Sequence, residues 1–151
     1  MNHEKAVNVI IVDDNMDFAK GLCELLSAWP YYKIIDVLND GAEIVNHPML
    51  WLTDLVLMDV NMPRLNGIKA GKQVNYHFPN IKMIAITLNK EIVYLKELVA
   101  AGFKGFIDKT TIVEDLEDVL MTVHSNKYAF PRNLLLSKSG NGNSKSKLPG
   151  D

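Results

Sequence analysis

A single cysteine, Cys23, occurs in the chain, so no internal disulfide can staple it. It lies in a helical pattern and reads as a small core or helix-surface residue with no chemical role. The four histidines, His3, His47, His77 and His124, show no metal-ligand spacing with one another or with Cys23, and read as surface or loop positions. No apolar run approaches membrane-spanning length, and Met1-Asn2-His3-Glu4-Lys5 lacks the apolar region of a signal peptide, so a cytoplasmic protein without a membrane partner is expected. Nor is there a Lys/Arg-rich cluster. With a net charge of -2, direct nucleic-acid contact by this segment is not expected. What remains is ordinary: 48% hydrophobic and 23% charged residues in a chain of 151, enough for one sizeable core.

The most telling stretch is Asp54-Leu55-Val56-Leu57-Met58-Asp59, followed by a loop through Pro63 to Gly67. Four apolar residues between two aspartates are too few for a helix with a face and suit a central strand buried on both sides. Val7 to Val12 is a second apolar run, ending at Asp13-Asp14. Lys33 to Leu38, Ile81 to Ile86 and Gly105-Phe106-Ile107 complete five strands. Helical patterns lie between them. Phe18, Leu22, Leu25, Leu26 and Trp29 form one stripe, capped by Asp14 or Asn15 and stopped by Pro30. A brief helix starts at Asp40-Gly41-Ala42-Glu43, and another runs from about Asn66 to Phe78. Asn89 can cap a fourth, with Ile92, Leu95 and Val99 as its stripe and Gly102 as its stop. Thr111 with Glu114 reads as a capping box opening a last helix, whose apolar face is Leu116, Val119, Leu120 and Val123 and whose outer side carries Glu114, Glu117 and Asp118. Residues 5–128 are expected to form one domain. Residues 129–151 would be an extension, its Ser/Gly/Asn/Lys-rich part from Ser137 a disordered tail or linker.

Five alternations of strand and helix, with no hairpin-length turn, imply an α/β domain with a parallel sheet covered on both faces. In such sheets function sits at the carboxyl ends of the strands. Those ends carry Asp13 and Asp14, then Asp59, Thr87 and Lys109. Each residue alone admits a plainer reading: Asp59 could cap its loop, Asp13-Asp14 a helix, and Phe106 suits a core position as well as a functional one. Together they place three carboxylates, a hydroxyl and an ammonium in one pocket. Three converging carboxylates call for a hard divalent cation, and Mg2+ fits because it accepts one or two carboxylates and leaves room for phosphate oxygens. Asp59 can then attack phosphorus as a nucleophile, with Lys109 and Thr87 stabilising the phosphoryl oxygens.

The set Asp13-Asp14, Leu57-Met58-Asp59-Val60-Asn61-Met62-Pro63 with Gly67, Thr87, and Gly105-Phe106-Ile107-Asp108-Lys109 closely resembles the receiver domain of bacterial two-component response regulators, over about residues 7 to 125. The resemblance implies a flavodoxin-like (βα)5 doubly wound fold with strand order 2-1-3-4-5, an order that the general rule for such sheets already exemplifies with this family. It implies that Asp59 is the phosphoacceptor for a histidine kinase. Asp14 and Asp59 would bind Mg2+ through side chains, Asn61 through its backbone carbonyl, and Asp13 largely through water. Thr87 and Lys109 would contact the phosphoryl group, and Thr87 with Phe106 would form the switch. Leu88 stands where the family typically has a small residue, and Phe106 lacks the hydroxyl of many switch aromatics. Thr110 in place of the common proline, with Tyr128-Ala129-Phe130-Pro131, resembles the subfamily whose receivers precede a helix-turn-helix DNA-binding domain, here in a longer parent chain. A homodimer is a further expected partner, with Tyr94, Lys96, Glu97 and Asp118 as candidates on the face of the fourth helix, fifth strand and fifth helix. Two other readings remain: a phosphorylation-independent interaction module, and a small Mg-dependent phosphohydrolase. The latter is disfavoured because Asn61 stands where an acid/base carboxylate would be needed.

Overall fold

The computed structural model describes residues 5–62, 66–88, 94–132 and 134. Five strands, β1 (Val7–Val12), β2 (Tyr32–Leu38), β3 (Leu55–Asp59), β4 (Lys82–Thr87) and β5 (Gly105–Asp108), alternate with helices α1 (Met16–Leu26), α2 (Gly41–Val45), α3 (Gly67–His77), α4 (Leu95–Ala101) and α5 (Ile112–His124). All pairings are parallel and the strand order is β2-β1-β3-β4-β5. The expected flavodoxin-like order is therefore the one the chain adopts. Because β1 feeds β2 on one side and β3 lies on the other, the order reverses between β1 and β3, and the sheet opens a crevice at their carboxyl ends.

Alternation along the strands divides the core in two. Val9, Ile11, Leu55, Leu57, Ile84, Ile86 and Ile107 face α1 and α5, where Leu22, Leu26, Leu116 and Leu120 cover them. Ile10, Val12, Val56, Met58, Met83, Ala85 and Phe106 point to the other face and meet residues of α2, α3 and α4. β3 is buried at all five positions, as an apolar run between two acids requires in a central strand. Two glycines permit close approaches. A Cβ on Gly67 would lie 2.2 Å from the Asp59 carbonyl oxygen, so only glycine lets the start of α3 rest on the end of β3. Gly102 stops α4 in the left-handed region, at φ 99°.

Several local expectations need correction. The cap and first turn expected at Asn89 and Ile92 lie outside the described residues. In α4 the buried line runs through Leu98 and Ala101, while Val99 is 43% exposed. Spacings of three and of four both mark a helical face, and the chain takes the line through Leu95, Leu98 and Ala101. The capping box at Thr111 does not form. A 3-10 turn, Lys109–Thr111, precedes α5, and Asp108 caps that turn by accepting from Thr110 N at 2.9 Å. Thr111 Oγ1 donates instead to Asp115 at 2.7 Å. His47 lies in a loop but not at the surface: its side chain is 6% exposed, and Nε2 is 2.7 Å from Asp36 Oδ2. Its Nδ1 accepts from Met49 N. After α5 the chain returns to the sheet edge, where Ala129 N donates to Lys104 O and Phe106 N to Ala129 O.

Candidate functional site

The carboxyl ends of β1 and β3 end in the same local device. Asp13 Oδ1 accepts from Asn15 N at 2.8 Å, and Asp59 Oδ1 accepts from Asn61 N at 2.8 Å. Each is an aspartate turning back onto the backbone two residues on, which fixes one carboxylate oxygen and leaves the other to face the crevice. Asn15 then caps α1 by accepting from Phe18 N at 3.0 Å, so the acids and the helix start are one construction.

Lys109 comes from the end of β5 and reaches across to both. Its Nζ is 2.7 Å from Asp13 Oδ2 and 3.1 Å from Asp59 Oδ2. All three side chains are nearly closed to solvent, at 2% for Asp13, 6% for Asp59 and 5% for Lys109. Asp14 is exposed beside them. Carboxylate oxygens of Asp13, Asp14 and Asp59 lie within 4.8 Å of one another, and the Lys109 ammonium touches two of the three acids. Burial pushes the Asp13 carboxyl above its usual range, against the lowering pull of Lys109 and of the Asn15 N–H. Burial alone would lower Lys109, but its contacts with the two carboxylates outweigh that and hold it above the ordinary lysine value. The site is short of positive charge. Asp13 Oδ2 meets the Lys109 ammonium at 2.7 Å and has no other donor among the described residues.

Thr87 ends β4, fully buried, and its Oγ1 accepts from Asn61 Nδ2. The structure thus brings Asp13, Asp14, Asp59, Asn61, Thr87 and Lys109 to one edge of the sheet. Phe106 is 3% exposed and packs among the residues facing α2, α3 and α4. Register pairs Ala85 with Phe106 and Thr87 with Asp108, so Thr87 and Phe106 share a face two pairs apart. Leu88, directly after Thr87, is 63% exposed. Two contacts had no sequence signal. One is the Asn61 side chain on Thr87. The other is Phe18, whose ring lies under Lys109 although its spacing marks it only as part of the α1 stripe.

Residues 9–121 match the family model described as the response regulator receiver domain. The chain belongs to that family. Among curated proteins the receiver is similar to the transcriptional regulatory protein DegU of Brevibacillus brevis, 24% identical over 131 residues, covering 86% of this chain and 56% of that protein. It is 31% identical over 120 residues to the uncharacterized transcriptional regulatory protein YxjL of Bacillus subtilis (strain 168), covering 80% and 55%. The receiver spans about half the length of these curated relatives. Among solved structures it resembles the isolated REC domain of RcsB from Salmonella enterica serovar Typhimurium in the presence of phosphomimetic BeF3-. That match has a TM-score of 0.75 and 24% identity, covers 88% of this chain and 100% of the other, and bears on the fold. The chain is accordingly a receiver domain of two-component signal transduction, a family whose mechanism is phosphorylation of an aspartate and whose members partner histidine kinases. Among the described residues no helix is long and apolar enough to cross a membrane.

Proposed function

We propose that this receiver takes a phosphoryl group on Asp59 from a histidine kinase, and that the modified state controls an output elsewhere in a longer chain or on a partner. The observation that carries the reading is the Lys109 ammonium set against Asp59 at the reversal point of the sheet. An Asp59 oxygen forms a bond to phosphorus as the bond from phosphorus to the donor imidazole nitrogen breaks, and the departing imidazole takes up a proton from solvent. No general base is required, because the nucleophile is already a carboxylate. Lys109 offsets charge on the transferring oxygens, and the Thr87 hydroxyl supplies a donor once it swings from Asn61. The Asn61 N–H keeps Asp59 oriented meanwhile.

A magnesium ion fits the donor set. Two buried acids and one exposed acid converge, and the Lys109 ammonium is the cation that meets the two buried ones. Asp14 and Asp59 would hold the ion through side chains, Asn61 through its carbonyl and Asp13 through water. Bound there, it would supply the missing positive charge and polarise the phosphoryl oxygens. The transcriptional regulatory proteins among the relatives support a DNA-binding output domain in a longer parent chain.

The test is intact mass after incubation with magnesium and a small-molecule phosphodonor, with Asp59→Asn in parallel. One phosphoryl adduct that requires magnesium and is absent from Asp59→Asn is expected. A folded wild-type protein that acquires no adduct overturns the reading.

A further inference from the structure

Lys109 meets a third group besides its two carboxylates: its Nζ lies 4.5 Å from the centroid of the Phe18 ring. We propose that Phe18 is a positioning residue for phosphoryl transfer, its ring face holding the Lys109 ammonium against Asp13 and Asp59 through a cation–π contact. The inference rests on Asp59 being the phosphoacceptor.

Phe18 is well placed for this. Its backbone N–H is the group that Asn15 caps, so its position is set by the same turn that carries Asp13 and Asp14. The ring is half-buried and packs with the core residues facing α1 and α5. A lysine stem has four flexible carbons, and carboxylates pulling from one side do not by themselves fix its head. A ring face attracts the ammonium without using up an N–H on a competing oxygen, which leaves the three donors for carboxylate and phosphoryl oxygens. A water molecule in its place would compete for those donors. The ring also keeps its charge distribution when Asp59 becomes an acyl phosphate, whereas the Asp59 carboxylate does not. The Lys109 side chain is only 5% exposed, the setting in which such contacts are strongest.

The decisive experiment replaces Phe18 by mono-, di- and trifluorophenylalanine, which drains the ring face of electron density with little change of shape. Initial rates of Mg-dependent phosphorylation by a small-molecule phosphodonor should fall stepwise, by about 3- to 10-fold across the series, while urea midpoints stay close to wild type. Phe18→Leu should lose at least as much, and Phe18→Tyr should retain the rate. A flat series overturns the proposal and leaves the Asp59 reading standing. A double-mutant cycle of Phe18→Leu with Lys109→Met, followed by urea unfolding without magnesium, should show a coupling of about 3- to 10-fold in the unfolding constant. Additive effects there also overturn it. A wild-type protein that takes no phosphoryl group sinks the Asp59 reading and the positioning role with it, while the cycle still reports whether the contact exists.

Discussion

Gly67 and Gly71 lie one turn apart on α3, and alanine at each should have different consequences. At Gly67 a new Cβ would meet backbone alone: Asp59 O at 2.2 Å, Val60 Cα at 2.7 Å and Asp59 C at 3.0 Å. At Gly71 it would meet the Phe103 ring at 2.6 Å, on the core face away from the crevice. Both substitutions overpack, at a cost of about 1–3 kcal/mol. The gain in helix propensity, up to about 1 kcal/mol, applies to Gly71 inside α3 and less to Gly67 at its first position, so the rates are compared at matched stability. The difference lies in what must move. Restoring ordinary contact at Gly67 requires a shift of roughly 1 Å between α3 and the turn that holds Asp59 and Asn61, and a misplacement of that size costs about 100-fold in a positioned reaction. Gly67→Ala should therefore phosphorylate about 10- to 100-fold more slowly than Gly71→Ala at similar urea stability. Equal initial rates with a small-molecule phosphodonor, in two variants of matched stability, would refute the claim that the α3 start sets the phosphoacceptor's position.

Two further outcomes concern charge. Lys109→Met strands two buried carboxylates and should cost about 3 kcal/mol in urea unfolding without magnesium. This is the low end for a broken buried pair, because Asp13 is already disposed to take up a proton. Magnesium should return part of the loss, and a deficit under about 1 kcal/mol would contradict the charge balance drawn above. Asp36 is held below the usual carboxylate range, chiefly by its hydrogen bond from His47. A lowered folded value means stability that is complete above the unfolded carboxylate pKa, about 3.9, and is lost as pH falls through the folded value below it. Asp36 is 39% exposed, so the contribution stays under about 1 kcal/mol. Asp36→Asn should lose correspondingly less stability between pH 5 and pH 3, and identical slopes would exclude the linkage.

The sheet was readable because its strands are short apolar runs that stop at polar or charged residues, and parallel strands must bring those stops to one edge. Asp13, Asp14, Asp59, Thr87 and Lys109 needed no more than that. Contacts made across the crevice were a different matter. Which helical line faces the core in α4, the burial of His47 against Asp36, and the ring of Phe18 beneath Lys109 depend on how elements dock, not on spacing within one element. The Asn61 side chain is similar: its backbone role follows from its place after Asp59, but its reach to Thr87 depends on the pairing of β3 with β4. The return of Ala129 to the edge of β5 is likewise a docking event, carried by two backbone hydrogen bonds that any residue but proline could make.

The geometry also bears on how much of a switch this site can be on its own. Phosphorylated Asp59 would keep negative charge beside Lys109, so that side of the crevice changes little. Thr87 is the group with an alternative: it can exchange the neutral hydrogen bond from Asn61, worth about 1 kcal/mol, for one to a charged phosphoryl oxygen, worth about 1.5–3 kcal/mol. The net gain is about 0.5–2 kcal/mol, enough to bias two conformations by roughly 2- to 30-fold. Reversing a 1:99 population to 99:1 takes about 5.5 kcal/mol. The remainder must come from groups that repack when Thr87 moves, and Phe106, buried two register pairs away on the same face, is a large side chain placed for it. Thr87→Ala should then weaken the response to phosphorylation without abolishing it, read as the shift in Phe106 ring resonances on adding a phosphoryl mimic. Complete loss of that shift would mean that Thr87 carries the switch alone.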